Sequence, residues 1–298
     1  MEASQLSLRA PEPSPAVTLP NGSTVAEFQS MILDFYRQEG RSFPWRETRD
    51  PYAILVSELM LQQTQTERVV PKYLAWLEAF PTAADLAAAP FPQVLAAWSG
   101  LGYNRRAGYL QSACRQVVQE LGGVFPSTAK ELQRLKGVGA YTAGAVAAFA
   151  FNRPEVFIET NIRSVYLFLF FPAGKTGGQK VSDAQLMPLI QATLYRPDPR
   201  VWYYALMDYG AALKKSTANP NRRSHHYSRQ SRFEGSLRQA RGAIVRQLSL
   251  GGNRPQALED LAAGAGIDLY RMQGAAESLV SEGMIMQRGN LYCINEQR

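Results

Sequence analysis

The chain has 298 residues, 46% of them hydrophobic, enough for two or three modest domains with cores of their own. Its net charge of +7 is concentrated between Lys214 and Arg246, where nine basic residues meet one acid, Glu234; that segment carries +8 and leaves the remainder at −1. The longest apolar stretches, Ala143–Phe151 and Val165–Phe171, are too short to span a bilayer, and two cysteines, Cys114 and Cys293, supply neither a disulfide framework nor a four-thiolate metal site. A soluble, intracellular protein with two buried structural thiols is expected, in the cytoplasm or nucleoid if its source is prokaryotic, with no membrane partner. The basic strip, poor in apolar residues, suits a phosphate backbone.

In chain order, residues 1–23 place Pro11, Pro13, Pro15 and Pro20 among Ser, Gly and Thr without apolar periodicity, and read as a disordered arm. They lack the basic start and apolar run of a secretory signal. Val25–Glu39 is an amphipathic helix with Phe28, Ile32 and Phe35 at helical spacing. Asp50-Pro51 opens another helix, running to about Gln65. Shorter helical patterns follow at Val70–Ala79, Thr82–Ala88 and Phe91–Trp98, and Arg105–Leu121 ends at Gly122-Gly123. From Gly235 the texture changes. Helices are expected at Leu237–Leu250, Pro255–Ala263 and Asp268–Glu282, then strands at Met284–Gln287 and Leu291–Ile294 around the turn Arg288-Gly289-Asn290. Three helices and a hairpin make a winged helix. Its second and third helices carry only Arg271 as a basic residue, so a protein-contact or packing role stands beside groove insertion.

Four motifs carry chemistry. Leu135-Lys136-Gly137-Val138-Gly139-Ala140-Tyr141-Thr142-Ala143 is a glycine-paired turn before an apolar helix, where exposed N–H groups can hold a phosphate. Upstream lie Ser57-Glu58-Leu59-Met60-Leu61-Gln62-Gln63-Thr64-Gln65 and Gly100-Leu101-Gly102-Tyr103-Asn104-Arg105-Arg106-Ala107; downstream lies Ile158-Glu159-Thr160-Asn161-Ile162-Arg163. In this order and spacing they resemble the MutY-type adenine glycosylases of the helix-hairpin-helix (HhH-GPD) superfamily, over roughly Phe43 to Gly210. The resemblance implies an all-α, helix-hairpin-helix DNA glycosylase fold, two helical subdomains with the cleft between them, to which the small C-terminal winged-helix-like domain is added. It divides the chain into the arm (1–23), a discontinuous helical domain (24–42 and 154–234), a helical barrel domain (43–153) and the winged-helix-like domain (235–298).

Breaking a C1′–N bond calls for an acid to protonate the leaving base and a carboxylate to face the cationic sugar. Glu58, in the apolar run Ile54 to Leu61, is expected to be partly desolvated with its pKa pushed upward, as suits the acid. The resemblance makes Glu159 the electrostatic stabiliser or water activator, with Asn161 orienting it. Relatives carry aspartate at this position, so the stem is one methylene longer here. Tyr141 stands where bifunctional relatives of the endonuclease III type place a Schiff-base lysine, and tyrosine supplies no such amine, so little or no lyase activity is expected. Gln63 and Tyr103 match the wedge residues that fill the gap left by an extruded base, while Gln62, Thr64 and Leu101 match neighbouring contacts. Arg46 matches an active-site arginine beside a core Trp45. Gly137 and Gly139 are expected at phosphate, as are Lys214, Arg222 and Arg223.

Two departures from the family stand out. Relatives bind an iron–sulfur cluster through four cysteines just after the helix equivalent to Trp202–Ala212; the region from Leu213 to Tyr227 has none, so no cluster is expected. Basic residues are expected to take over that loop's phosphate contacts, and His225-His226 reads as a solvated or phosphate-contacting pair. A monovalent cation at the hairpin is the one cofactor left open. Second, the residues after Gly235 are too few and too helical for the Nudix-like domain with which the family recognises 8-oxoguanine. The expected activity is that of a monomeric, monofunctional glycosylase in base excision repair, acting on double-stranded DNA with a mismatched or damaged base. Adenine opposite 8-oxoguanine or guanine leads by resemblance. Thymine or uracil mismatches, and a non-catalytic lesion-binding protein, are the alternatives.

Overall fold

The computed structural model describes residues 18–172 and 179–296. The first 17 residues of the expected arm lie outside the described residues. The remainder is folded: Thr18 bridges Thr24 across a turn, and Leu19 is buried. The element order is α1 (Val25–Glu39), a 3-10 turn (Pro44–Arg46), α2 (Pro51–Leu61), α3 (Thr66–Ala79), α4 (Ala83–Ala88), α5 (Phe91–Trp98), α6 (Arg105–Glu120), α7 (Ala129–Leu132), α8 (Ala140–Phe151), α9 (Thr160–Phe170), α10 (Asp183–Thr193), α11 (Pro199–Ser216), a second 3-10 turn (Pro220–Arg223), α12 (Leu237–Leu250), β1 (Gln256–Ala257), α13 (Leu258–Ala265), α14 (Leu269–Ser281), β2 (Ile285–Arg288) and β3 (Leu291–Ile294). Among the described residues, no helix is long and apolar enough to cross a membrane.

Two compact units result. One comprises Met1–Arg46, Ser127–Ala129 and Ala143–Ser228, the other Glu47–Pro126, Lys130–Thr142 and Arg229–Arg298. In the first, Thr24 and Glu27 form a capping box that starts α1, each side chain accepting from the other's backbone N–H. Helix α1 buries Phe28 and Ile32. The Phe28 ring meets Tyr166 and Phe170 of α9 and Trp202 of α11 edge-on. Helix α11 crosses the start of α9 at Gly210, where an added Cβ would lie 2.2 Å from the Asn161 carbonyl oxygen. That contact sets the first turn of α9 against α11, backbone to backbone.

In the second unit Asp50 caps α2 and Pro51 occupies its first turn, and the helix is buried from Tyr52 through Met60, the polar Ser57 and Glu58 included. It stops at Leu61 rather than about Gln65. Gln63 adopts φ +57°, which breaks the helix and lets α3 begin at Thr66, four residues before its apolar pattern suggests. Trp76, Trp98 and Phe91 fill the core beside α2.

The C-terminal elements have winged-helix order: α12 and α14 pack on each other, and a three-stranded antiparallel sheet runs β1-β3-β2. Met286 faces Cys293 across β2 and β3, while Gln256 pairs with Tyr292. Strand β1 is only two residues long, next to Pro255, and gives no alternating pattern to read. Both cysteines are buried thiols.

Gly210→Ala should cost about 3 kcal/mol, the upper end for overpacking, because backbone and not a movable side chain stands in the way. Urea unfolding of the purified chain checks this, and a wild-type midpoint would show that α9 and α11 need no such approach.

Candidate active site

In the second unit the centre of organisation is Arg106, buried at the start of α6. Its guanidinium donates to the carbonyls of Leu59 (2.7 Å) and Met60 (3.1 Å) in the last turn of α2, where helical partners run out. It also donates to Gln62 O beyond that turn, and to Leu101 O (3.1 Å) and Gly102 O (2.8 Å) in the turn before α6. Burial pulls its pKa down to about 10, so the group is still charged at neutral pH. One side chain thus ties together the two tips read as wedges.

Gln63 and Tyr103 ride on those tips, both exposed and both at positive φ (+57° and +48°), a strained conformation for residues other than glycine. Their neighbours are placed otherwise. Leu101 is buried, so its expected DNA contact is replaced by core packing. Gln62 Nε2 donates to Thr142 Oγ1 at 3.3 Å, and Thr64 Oγ1 accepts from Arg106 at 3.4 Å.

Glu58 points from α2 and is buried, with 5% exposure. The Tyr141 hydroxyl, on the first turn of α8, donates to its Oε2 at 2.8 Å. Two of the four candidate catalytic residues, 83 positions apart, therefore meet. Before α8, Gly137 has φ +81°, and an added Cβ would sit 2.3 Å from Tyr109 Cβ; the turn there admits no side chain. Gly139 is exposed and uncrowded.

In the first unit Glu159 is the N-cap of α9. Its Oε1 accepts from the backbone N–H of Asn161 (2.6 Å) and Ile162 (2.8 Å), and its Oε2 from Asn161 Nδ2 at 3.3 Å. Asn161 Oδ1 in turn accepts from Lys214 Nζ at 2.8 Å, on the last turn of α11. The residue keeps some exposure, yet its carboxyl is closely surrounded: burial pushes its pKa up, while the two amides, Lys214 and Arg163 pull the other way. Lys214, expected at phosphate, is instead half-buried beside the candidate carboxylate, its own pKa lowered by burial and partly restored by Glu159.

Arg46 is likewise engaged within the protein and only partly exposed. Its guanidinium forks onto Asp208, both bonds 2.8 Å, and donates to Arg41 O. Burial would raise the Asp208 pKa, but Arg46 and Arg41 overcome it and hold the carboxyl below its usual range. Asp208 was invisible as a partner because 162 residues separate it from Arg46. Of the basic strip, Arg222 is exposed, whereas Arg223 is half-buried and donates to Phe171 O. His226 lies 3.6 Å from Asp183, a carboxylate sequence reasoning did not bring near it, and Arg163 already holds that carboxylate at 2.7 Å.

The loop after α11 does not fit an iron–sulfur cluster, whose ligands are thiolates. Residues 213–228 contain none, and Asn221 organises the loop by donating to Thr160 O at 3.0 Å and to Ser164 Oγ. Among the described residues, no group of three or more His, Cys, Asp or Glu side chains could hold a metal ion.

Arg106→Lys should lower stability by about 2 kcal/mol or more, since an ammonium has three donors and cannot span both turns, leaving buried carbonyls unpaired at about 1–3 kcal/mol each. Denaturant unfolding reads this directly. Lys214→Met removes a positive charge that favours the ionised Glu159, so the Glu159 pKa should move further up. Carboxyl-carbon NMR titration would follow it; an unmoved or lowered value removes Lys214 from that group's electrostatics.

A family model described as HhH-GPD superfamily base excision DNA repair protein matches residues 56–190. Human adenine DNA glycosylase is 39% identical over 198 residues, which cover 63% of this chain and 36% of that protein. The adenine DNA glycosylase of Mycobacterium tuberculosis is 35% identical over 204 residues, covering 67% of this chain and 65% of that one. The chain thus spans about a third of the human relative's length and just under two thirds of the mycobacterial one. Among solved structures, a thermostable thymine-DNA glycosylase matches with TM-score 0.58 and 27% identity, over 67% of this chain and 92% of that one. An endonuclease III in a non-covalent DNA complex shares the fold at TM-score 0.51 and 18% identity, over 62% and 85%. Glu58, Gln63, Tyr103, Gly137, Tyr141 and Glu159 all fall inside the matched span, so the motifs and the fold coincide there, and residues 56–190 are similar to the HhH-GPD superfamily of base excision DNA repair proteins.

Proposed function

We propose that this protein is a monofunctional DNA glycosylase of base excision repair, hydrolysing the N-glycosidic bond of an extruded adenine opposite 8-oxoguanine or guanine in double-stranded DNA. The observation that carries the reading is the Tyr141–Glu58 hydrogen bond at 2.8 Å: a buried carboxyl fixed in one orientation by a hydroxyl from another helix. Adenine is favoured as the substrate because the similar adenine DNA glycosylases are 35–45% identical over the aligned residues.

In this mechanism Glu58 delivers its proton to the leaving base, and the C1′–N bond breaks with the electron pair passing to the base. Glu159, as carboxylate, stabilises the cationic sugar that develops; Asn161 and Lys214 hold it in place. Water adds to C1′ and releases a proton, leaving an abasic site. Tyr141 offers no amine, so no Schiff base forms at that position and the strand remains intact. Gln63 and Tyr103 fill the space vacated by the extruded nucleotide. We infer that the protein works without an iron–sulfur cluster, Lys214 and Asn221 anchoring the loop that carries its ligands in relatives.

A second reading, thymine or uracil opposite guanine, is favoured by the likeness to the thymine-DNA glycosylase, 92% of which is matched. Duplexes holding A opposite 8-oxoguanine, A opposite G, T opposite G, U opposite G, and hypoxanthine separate the two. Base release is expected from the adenine mispairs, and Glu58→Gln should slow it about 100-fold or more while DNA binding persists. Retained excision by that variant would remove Glu58 from the chemistry. No abasic product from any duplex would make the protein a non-catalytic lesion binder.

A further inference from the structure

The tips bearing Gln63 and Tyr103 are not bare. Within the same unit, residues leading into α12 and its first turn lie over them. Gln230 Nε2 donates to Gln63 Oε1 at 3.2 Å and also to the Tyr103 hydroxyl. Arg238 NH1 donates to the same hydroxyl at 2.9 Å, and its guanidinium carbon stands 5.7 Å from the centre of the Tyr103 ring. Two cavities, about 390 and 510 Å3, are both lined by Gln63, Tyr103 and Arg238; each falls in the size range of small-ligand sites, about 300–1,000 Å3.

The charges nearby are unequally used. Arg241 is forked onto Glu282, at 2.9 and 2.7 Å, and Arg105 lies 3.7 Å from the same carboxylate. Among the described residues, Arg238 instead has neutral oxygens as hydrogen-bond partners, Ser231 O and Tyr103 Oη. A half-buried guanidinium with neutral partners, set beside an aromatic ring and a carboxamide, is a recognition set for a flat ligand rich in acceptors. The guanidinium fork matches the O6 and N7 acceptors of guanine, and a carboxamide can donate to one edge atom or accept from another. If N7 carries hydrogen, as in 8-oxoguanine, Gln230 Oε1 has the matching acceptor while Arg238 keeps O6.

We propose that the larger of these two cavities, the 510 Å3 one that Gln230 also lines, receives the base opposite the extruded nucleotide, that it selects a guanine-type purine, and that Arg238 and Gln230 determine the choice. The C-terminal module is then a reader of the opposite base, even though its own second and third helices are nearly without basic residues. The proposal rests on the reading of Gln63 and Tyr103 as wedges. On entry of DNA the hydroxyl of Tyr103 is exchanged for base edges as the partner of Arg238 and Gln230.

The test is equilibrium binding of the full chain, at fixed salt, to duplexes with a tetrahydrofuran abasic analogue opposite guanine, 8-oxoguanine, cytosine or thymine. No base is released in these complexes, so the result stands apart from glycosylase activity. The wild type should bind the guanine and 8-oxoguanine duplexes more tightly than the pyrimidine ones. Arg238→Ala should shrink that ratio about tenfold or more, and Gln230→Ala should change guanine and 8-oxoguanine unequally. Thermal unfolding of each variant confirms that it is folded. Arg238→Lys keeps charge without the fork and should not restore the ratio. Four duplexes weakened equally, or full rescue by lysine, would make Arg238 a phosphate contact and overturn the proposal; so would a wild type indifferent to the opposite base. Purine preference lost in Arg238→Ala, alongside no base release from any mismatch, would uphold the pocket and sink the enzyme reading instead.

Discussion

The two exposed tips of the second unit, at Gln63 and Tyr103, depend on how Arg106 is satisfied. A guanidinium enclosed by protein is costly unless its donors find acceptors, and here they find carbonyls that would themselves be orphaned. The end of α2 has run out of helical partners, and the turn at residues 100–104 has no ladder to join. Each deficit answers the other. The consequence is geometric: the tip with Gln63 and the tip with Tyr103 are fixed by one planar group, and their positive φ angles persist because the surrounding bonds over-determine them. The proposed wedge role asks for tips that do not fold back, and a buried cation bonded to both turns suits that demand.

The first unit solves a different problem with similar means. The Glu159 stem is a methylene longer than the aspartate of relatives, and the extra reach is taken up by turning back onto its own helix, where one oxygen caps two amides. A capping glutamate and a catalytic carboxylate need not exclude each other. The amides and Lys214 favour the ionised form that a stabiliser requires, whereas burial disfavours it, and burial is the larger influence. The net direction is upward, and losing a favourable neighbour moves it further the same way. Gly210 matters for the same reason: it brings α11 close enough for Lys214 to reach Asn161.

What could be read from the residues was local or carried by motif. The helix starts at Thr24 and Asp50 follow from their caps, the wing from its Gly289 turn, and Glu58 with Tyr141 from two motifs whose meeting the hydrogen bond then displays. What escaped was long-range pairing of charge. Lys214 reads as a phosphate contact because a basic residue without a visible partner looks like a surface group, yet its partner Asn161 lies 53 positions away; Asp208, which holds Arg46, lies 162 positions from it. Arg106 lies within Gly100-Leu101-Gly102-Tyr103-Asn104-Arg105-Arg106-Ala107, and nothing in a sequence marks an arginine whose partners are backbone carbonyls. The early end of α2 has no sequence signal because Gln62-Gln63-Thr64-Gln65 is a run that a helix tolerates, and the chain leaves the helix at Gln62 and turns left-handed at Gln63. Leu19 shows the converse error: four nearby prolines suggested an arm, but one buried leucine and one bridge suffice to fold residues 18–23.

The charge distribution takes on a different meaning once these pairings are known. Counted along the chain, Lys214 to Arg246 is a single strip of +8. In the structure it divides by partner: Lys214 donates to the Asn161 amide beside Glu159, Arg223 to a backbone carbonyl, Arg241 to a glutamate, while Arg222 stays exposed and Arg238 keeps neutral partners. Net charge therefore overstates the electrostatic footprint available to a phosphate backbone, because each internally paired cation releases no counterion on binding. Lys215, Arg222, Arg229, Arg232 and Arg246 stay exposed, and from them comes an attraction that treats all duplexes alike. A contact at a base edge, where one well-aimed guanidinium discriminates, falls instead to the half-buried Arg238.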